Sequence, residues 1–158
     1  MKKVLLFGLV LLAACGGKDT NQAADTTATA AAAPAALTAS DLAGTFHGTS
    51  MAETSDSVVD TFTLMVTANA SGGADGKFVS SMAPKDTVAF TQTISGDSVI
   101  SESASYTDPQ APKGSPQVHW RAIGRRTSPH EWAGTVAIMP VGKDTTVARF
   151  RWKATHTP

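Results

Sequence analysis

Cysteine is nearly absent: Cys15 stands alone in 158 residues, so the chain can form no internal disulfide. The four histidines, His47, His119, His130 and His156, include no His-x-His or His-Glu-x-x-His pair, the close spacings that hold a metal ion. The serines form no Gly-x-Ser-x-Gly elbow, so a common hydrolase signature is missing. Charge of one sign is also missing. The 13 basic residues balance 13 acidic ones, and nothing in that balance favours nucleic acid. After the first 14 residues no run approaches the roughly 20 apolar residues of a membrane span. These absences lead us to expect no catalytic residues, no cofactor and no metal. Large apolar residues are sparse while Thr, Ser and Val are plentiful, a mixture suited to half-buried pleated surfaces.

What is present begins with Lys2 and Lys3, an almost wholly apolar run over residues 4–12, and the small Ala13 and Ala14. That order is that of a secretory signal peptide, residues 1–14, and its apolar run is too short for a permanent span. Leu12-Ala13-Ala14-Cys15 resembles the lipobox of bacterial lipoproteins. The resemblance implies that the leader is cut before Cys15, that Cys15 carries a thioether-linked diacylglycerol, and that its new amine is acylated. Two or three chains anchor a protein stably where one does not. The membrane is therefore an expected partner through the lipid on Cys15, and the cell envelope the expected location. Gly16 and Gly17, rather than Asp, follow the cysteine, which by the same resemblance favours the outer membrane.

Residues 15–39 are mostly Ala and Thr. Pro34 interrupts the helix-prone alanines, and Leu37 is the only large apolar side chain. A flexible tether is the expectation. Residues 40–158 are then one domain of ordinary size.

Within it, apolar and polar residues alternate with a period of two. Strands are expected over residues 44–49, 58–68, 77–82, 88–94, 99–106, 118–123, 132–139 and 146–155. Phe62, Leu64 and Val66 share one face of the second, and Val88, Phe90 and Ile94 one face of the fourth. Val118, Trp120 and Ala122 align on the sixth, and Trp132, Gly134, Val136 and Ile138 on the seventh. On the last strand Ala148, Phe150, Trp152 and Ala154 oppose Val147, Arg149, Arg151 and Lys153. Four turns share an acidic residue, then hydroxyl residues, then valine: Asp56-Ser57-Val58, Asp86-Thr87-Val88, Asp97-Ser98-Val99 and Asp144-Thr145-Thr146-Val147. Each accepts backbone hydrogen bonds and releases the chain into a strand. Residues 107–117 carry three prolines and form the one long connection, an open loop.

Short links favour an all-β, antiparallel up-and-down meander of about eight strands closed into a barrel, with a two-sheet β-sandwich as the alternative. Leu42-Ala43-Gly44-Thr45-Phe46, with domain length and strand count, resembles the lipocalin and fatty-acid-binding group, with Phe46 where those families usually have tryptophan. The resemblance implies a lipocalin-like barrel. The chain as a whole is also similar to uncharacterised bacterial lipoproteins.

Two constellations stand out. Arg149, Arg151 and Lys153 alternate on one face of the last strand, with Arg121 on the sixth and Arg125 and Arg126 in the turn expected after it. Arginine clusters suit carboxylates and phosphates; a solvated outer face that discourages edge pairing is the plainer account. Trp120, Trp132, Phe150 and Trp152 either fill the core or line a cavity. The leading expectation is a non-catalytic binding or interaction module of the envelope, partnered by an envelope protein or a small amphiphile. The alternative is a carrier of a small apolar or amphiphilic ligand, and the third an enzyme with an unrecognised site. Phe150 and Trp152 discriminate the first two: the carrier requires them to rim a cavity of about 300 Å³ or more.

Overall fold

The structure is a computed structural model that describes residues 36–158. The leader, Cys15 and the tether up to residue 35 lie outside the described residues.

Eight strands follow one another: β1 (Gly44–Ala52), β2 (Val58–Ala68), β3 (Ala74–Ser80), β4 (Val88–Ser95), β5 (Ser98–Ser103), β6 (Val118–Ser128), β7 (Glu131–Pro140) and β8 (Ala148–Thr157). Each pairs antiparallel with the next, and β1 pairs antiparallel with β8, so the sheet closes into an up-and-down barrel. Closure removes both edges and excludes the two-sheet sandwich. The one described helix, α1 (Ala39–Leu42), is a single turn ahead of β1.

Alternation sets the two faces. Phe62 and Val66 of β2, Phe90 of β4, Trp120 and Ala122 of β6 and Trp132 of β7 are buried and form one core. The opposite faces carry Thr61, Thr63 and Thr67 on β2, Arg121 and Arg125 on β6, and Arg149 and Lys153 on β8. Apolar inside and polar outside is the reverse of a membrane-spanning barrel, whose apolar band faces lipid. No described helix is long and apolar enough to cross a membrane.

Turn chemistry sets the hairpins. Gly96 and Asp97 connect β4 to β5 in two residues, with Ser95 opposite Ser98, and Gly96 has φ 63°, the left-handed region such short hairpins require. The Gly-rich run after β2 is tighter than expected. Asn69 Oδ1 accepts from the Ser71 and Gly73 backbone amides, each at 3.1 Å, so β3 begins at Ala74 instead of Lys77 and buries Ala74 completely. β6 runs on to Ser128, through the residues expected as a turn, because Arg125 continues the outer face and Arg126 the inner one. The domain also starts earlier than Ser40. Leu37 packs against the core, and Thr38 donates its amide and hydroxyl to Asp41 Oδ2 at 2.8 and 2.6 Å.

Candidate ligand cavity

Because every strand pair is antiparallel, the loops after β1, β3, β5 and β7 gather at one end of the barrel. α1, the carboxyl terminus and the loops after β2, β4 and β6 gather at the other. That second end is closed. Leu42 is 1% exposed. Phe46 packs edge-on against Trp132, centroids 6.0 Å apart, and stacks on His156 at 4.3 Å. His156 Nε2 donates to the Ala43 carbonyl at 2.9 Å. Arg126 Nη1 meets Asp41 Oδ1 at 3.3 Å, tying α1 to β6. The Thr38 hydrogen bonds, with the Arg126 guanidinium adding to them, hold the Asp41 carboxyl below its usual value of 3.8. Neither His156 nor the Arg126–Asp41 pair was expected from the sequence; the signal was the continued alternation past the expected strand ends.

The first end is open, and a cavity of about 690 Å³ runs from it into the barrel. Its wall carries the aromatic rings of Phe62, Phe78, Phe90, Trp120, Phe150 and Trp152. Four of these rings form a continuous run, Phe62–Phe78 at 5.8 Å, Phe78–Trp120 at 6.0 Å and Phe90–Trp120 at 5.5 Å. Space for Trp152 comes from Gly124, since a Cβ there would collide with the indole. Residues 106–110 of the connection between β5 and β6 line the mouth, so the loop expected to be open folds back over the barrel. Tyr106 holds it there through paired backbone hydrogen bonds with Val118, at 2.8 and 2.9 Å. Burial, reinforced by the neighbouring Asp108 carboxylate, pushes the Tyr106 phenol up to about 12. Val58, Met82, Val141 and Val147 are exposed around this end.

A few polar groups interrupt the apolar wall. Gln92 occupies the inward position between Phe90 and Ile94 and is 9% exposed. Its Nε2 donates to Ser101 Oγ at 3.0 Å, while its Oε1 is buried with no partner. Trp120 Nε1 is likewise buried and unpaired. Asp60, Asp86 and Asp108 line the cavity towards its mouth. Asp60 accepts from the Ser80 and Ser81 hydroxyls at 2.7 and 2.8 Å.

The four aromatics singled out in the sequence therefore divide. Trp120, Phe150 and Trp152 line the cavity, whereas Trp132 belongs to the closed floor. Arg121, Arg149, Arg151 and Lys153 face outward but are not gathered, and Arg126 turns inward to Asp41. Arg121 and Arg149 lie on one row across Ala137, and Arg121 Nε pairs with Glu102 at 3.4 Å. Arg151 turns away to the loop between β1 and β2, with Nη2 at 2.7 Å from the Ser55 carbonyl and 2.9 Å from Asp56. Lys153 borders a shallow outer groove with His47 and Glu131. Exposed pairs of this kind contribute at most about 1 kcal/mol each.

Comparison with protein-family models, with curated proteins and with solved structures finds no match to this chain.

Proposed function

We propose that this chain is a carrier for a small apolar or amphiphilic molecule, held at the envelope by lipid on Cys15. The observation that supports the carrier over the interaction module is the cavity: Phe150 and Trp152 rim a space of about 690 Å³ instead of filling it, in the range of roughly 300–1,000 Å³ that suits small-molecule sites. A cavity wall that is mostly apolar and carries several aromatic rings, with placed polar groups, is what buries such a ligand and fixes its orientation. The outer face offers a weaker rival, since two of its four singled-out cations are already paired. On this reading the lipid and the tether keep the barrel at a membrane surface, from which apolar cargo is drawn or to which it is returned.

Native mass spectrometry of the protein extracted from a bacterial envelope tests both parts. The expected result is a covalent diacyl addition on the Cys15 peptide together with a small-molecule adduct that is lost on denaturation. A Cys15→Ser chain that remains in the membrane fraction would sink the anchor. A cavity that takes up neither a cellular molecule nor an added apolar dye would sink the carrier.

A further inference from the structure

The cavity also indicates what chemistry its ligand carries, an inference that rests on the carrier reading above. Two observations bear on it independently. The first is a pair of buried, unpaired polar atoms on inward-facing side chains of the wall. Gln92 Oε1 is an acceptor and Trp120 Nε1 a donor, and neither has a partner. Ser101, whose oxygen already accepts from Gln92, keeps its hydroxyl proton to donate. Buried polar groups are normally satisfied, and leaving one unmade is costly. An unmet donor and an unmet acceptor on side chains of one cavity wall match a head group that is itself both.

The second observation is charge. Among the described residues lining the cavity the carboxyl side chains are Asp60, Asp86 and Asp108, and none is Lys, Arg or His. A carboxylate or phosphate entering this cavity passes acidic groups, finds no counter-charge in a low-dielectric site, and meets the Gln92 oxygen at the wall. Burying an unpaired charge is far more costly than burying a neutral hydroxyl or amide that finds partners. Fatty acids and phospholipids are therefore poor cargo in spite of the barrel's shape.

We infer that the ligand is an uncharged amphiphile with a hydroxyl or amide head, seated head-inward on Gln92, Ser101 and Trp120, with its apolar body along Phe62, Phe78 and Phe90.

Matched ten-carbon probes with different heads test this. Decanol, decanoate and decylamine are titrated by calorimetry at neutral pH into the full chain carrying Cys15→Ser, so that no attached lipid or detergent competes. Decanol should bind at least about tenfold tighter than decanoate, the scale of one buried polar pairing. Gln92→Leu, close in volume, should remove most of the decanol advantage, and Trp120→Phe, which keeps a ring but deletes the donor, should weaken decanol in the same direction. Thermal melts of each variant separate loss of the head-group site from loss of the fold. Decanoate binding as tightly as decanol would overturn the head-group assignment while leaving the carrier intact. Decylamine binding tightest, unaffected by Gln92→Leu, would place the head at the mouth carboxylates and overturn it too. If none of the three binds, the carrier reading itself fails.

Discussion

The two ends of this barrel are built from the same eight alternating strands, yet they differ in what fills them. At the closed end a turn of helix, Leu42, Phe46, Trp132 and His156 pack to near-complete burial, and the Arg126–Asp41 pair ties the helix to the wall. At the open end the rings pack against one another along the wall but leave a cavity of about 690 Å³ between the walls, and exposed Val58, Met82, Val141 and Val147 surround the mouth. On the proposed carrier reading, the difference separates stability from ligand binding within one sheet. Close packing at the floor buries the apolar side chains of one half, while the other half leaves part of its apolar surface around the cavity. An unfilled cavity forfeits dispersion contacts along its lining, so the closed half must hold the fold.

The sharpest break of that comparison cuts one phenylalanine from each end. Phe46→Ala removes a ring packed against Trp132 and His156, and should destabilise by about 3–5 kcal/mol. Phe150→Ala removes a half-buried ring that already borders open space. It should cost only about 1 kcal/mol, from the part of its area that is buried. Denaturant midpoints with unchanged slopes measure both. Equal losses, or the reverse order, would mean that the cavity wall bears as much of the fold as the floor.

The barrel was legible in the sequence because a period of two is a local property. Strand count, antiparallel order and the inward set on β2, β4, β6 and β8 all follow from it. The turn pattern of Asp, hydroxyl and valine was legible for the same reason, and it opens β2, β4 and β5. The ends of the strands were less so. Gly124-Arg125-Arg126 reads as a turn, although its alternation continues the strand, and the partner that holds Arg126 on the inner face, Asp41, lies 85 residues away. Gln92 lay hidden at the skipped position between Phe90 and Ile94, where a polar residue breaks an apolar face. Which aromatics fill and which line depends on how the barrel closes. Trp132 and Trp152 therefore look alike in the sequence and lie in different halves of the molecule.

Gly124 sits near the boundary between the two halves, beneath Trp152, whose Nε1 donates to the Thr135 carbonyl at 3.2 Å. Gly124→Ala drives a methyl into the indole, and the ring must move towards the cavity or strain the sheet. Overpacking of this kind costs about 1–3 kcal/mol. The expected readouts are a lowered melting temperature and a shifted tryptophan emission together with weaker decanol binding. A loss of stability with binding untouched would show that the strain passes to the floor, and the boundary would have to be drawn elsewhere.

The smallest effect reads the mouth itself. Tyr106 is the only tyrosine in the chain, so its phenolate absorbance reports one position. Its phenol is raised from 10.0 to about 12, first by burial and then by Asp108. The fold therefore favours the neutral phenol. The stability this contributes is fully present below pH 10.0 and is lost as the pH rises through about 12. Titration should place the midpoint near the upper value, and Asp108→Asn should lower it by removing the secondary cause while burial remains. A ligand seated against the loop would exclude water from Tyr106 and raise the midpoint further, because desolvation disfavours the phenolate. A midpoint at the ordinary value, unmoved by Asp108→Asn, would mean that residues 106–110 stand clear of the barrel and that the open end is wider than the paired bonds between Tyr106 and Val118 indicate.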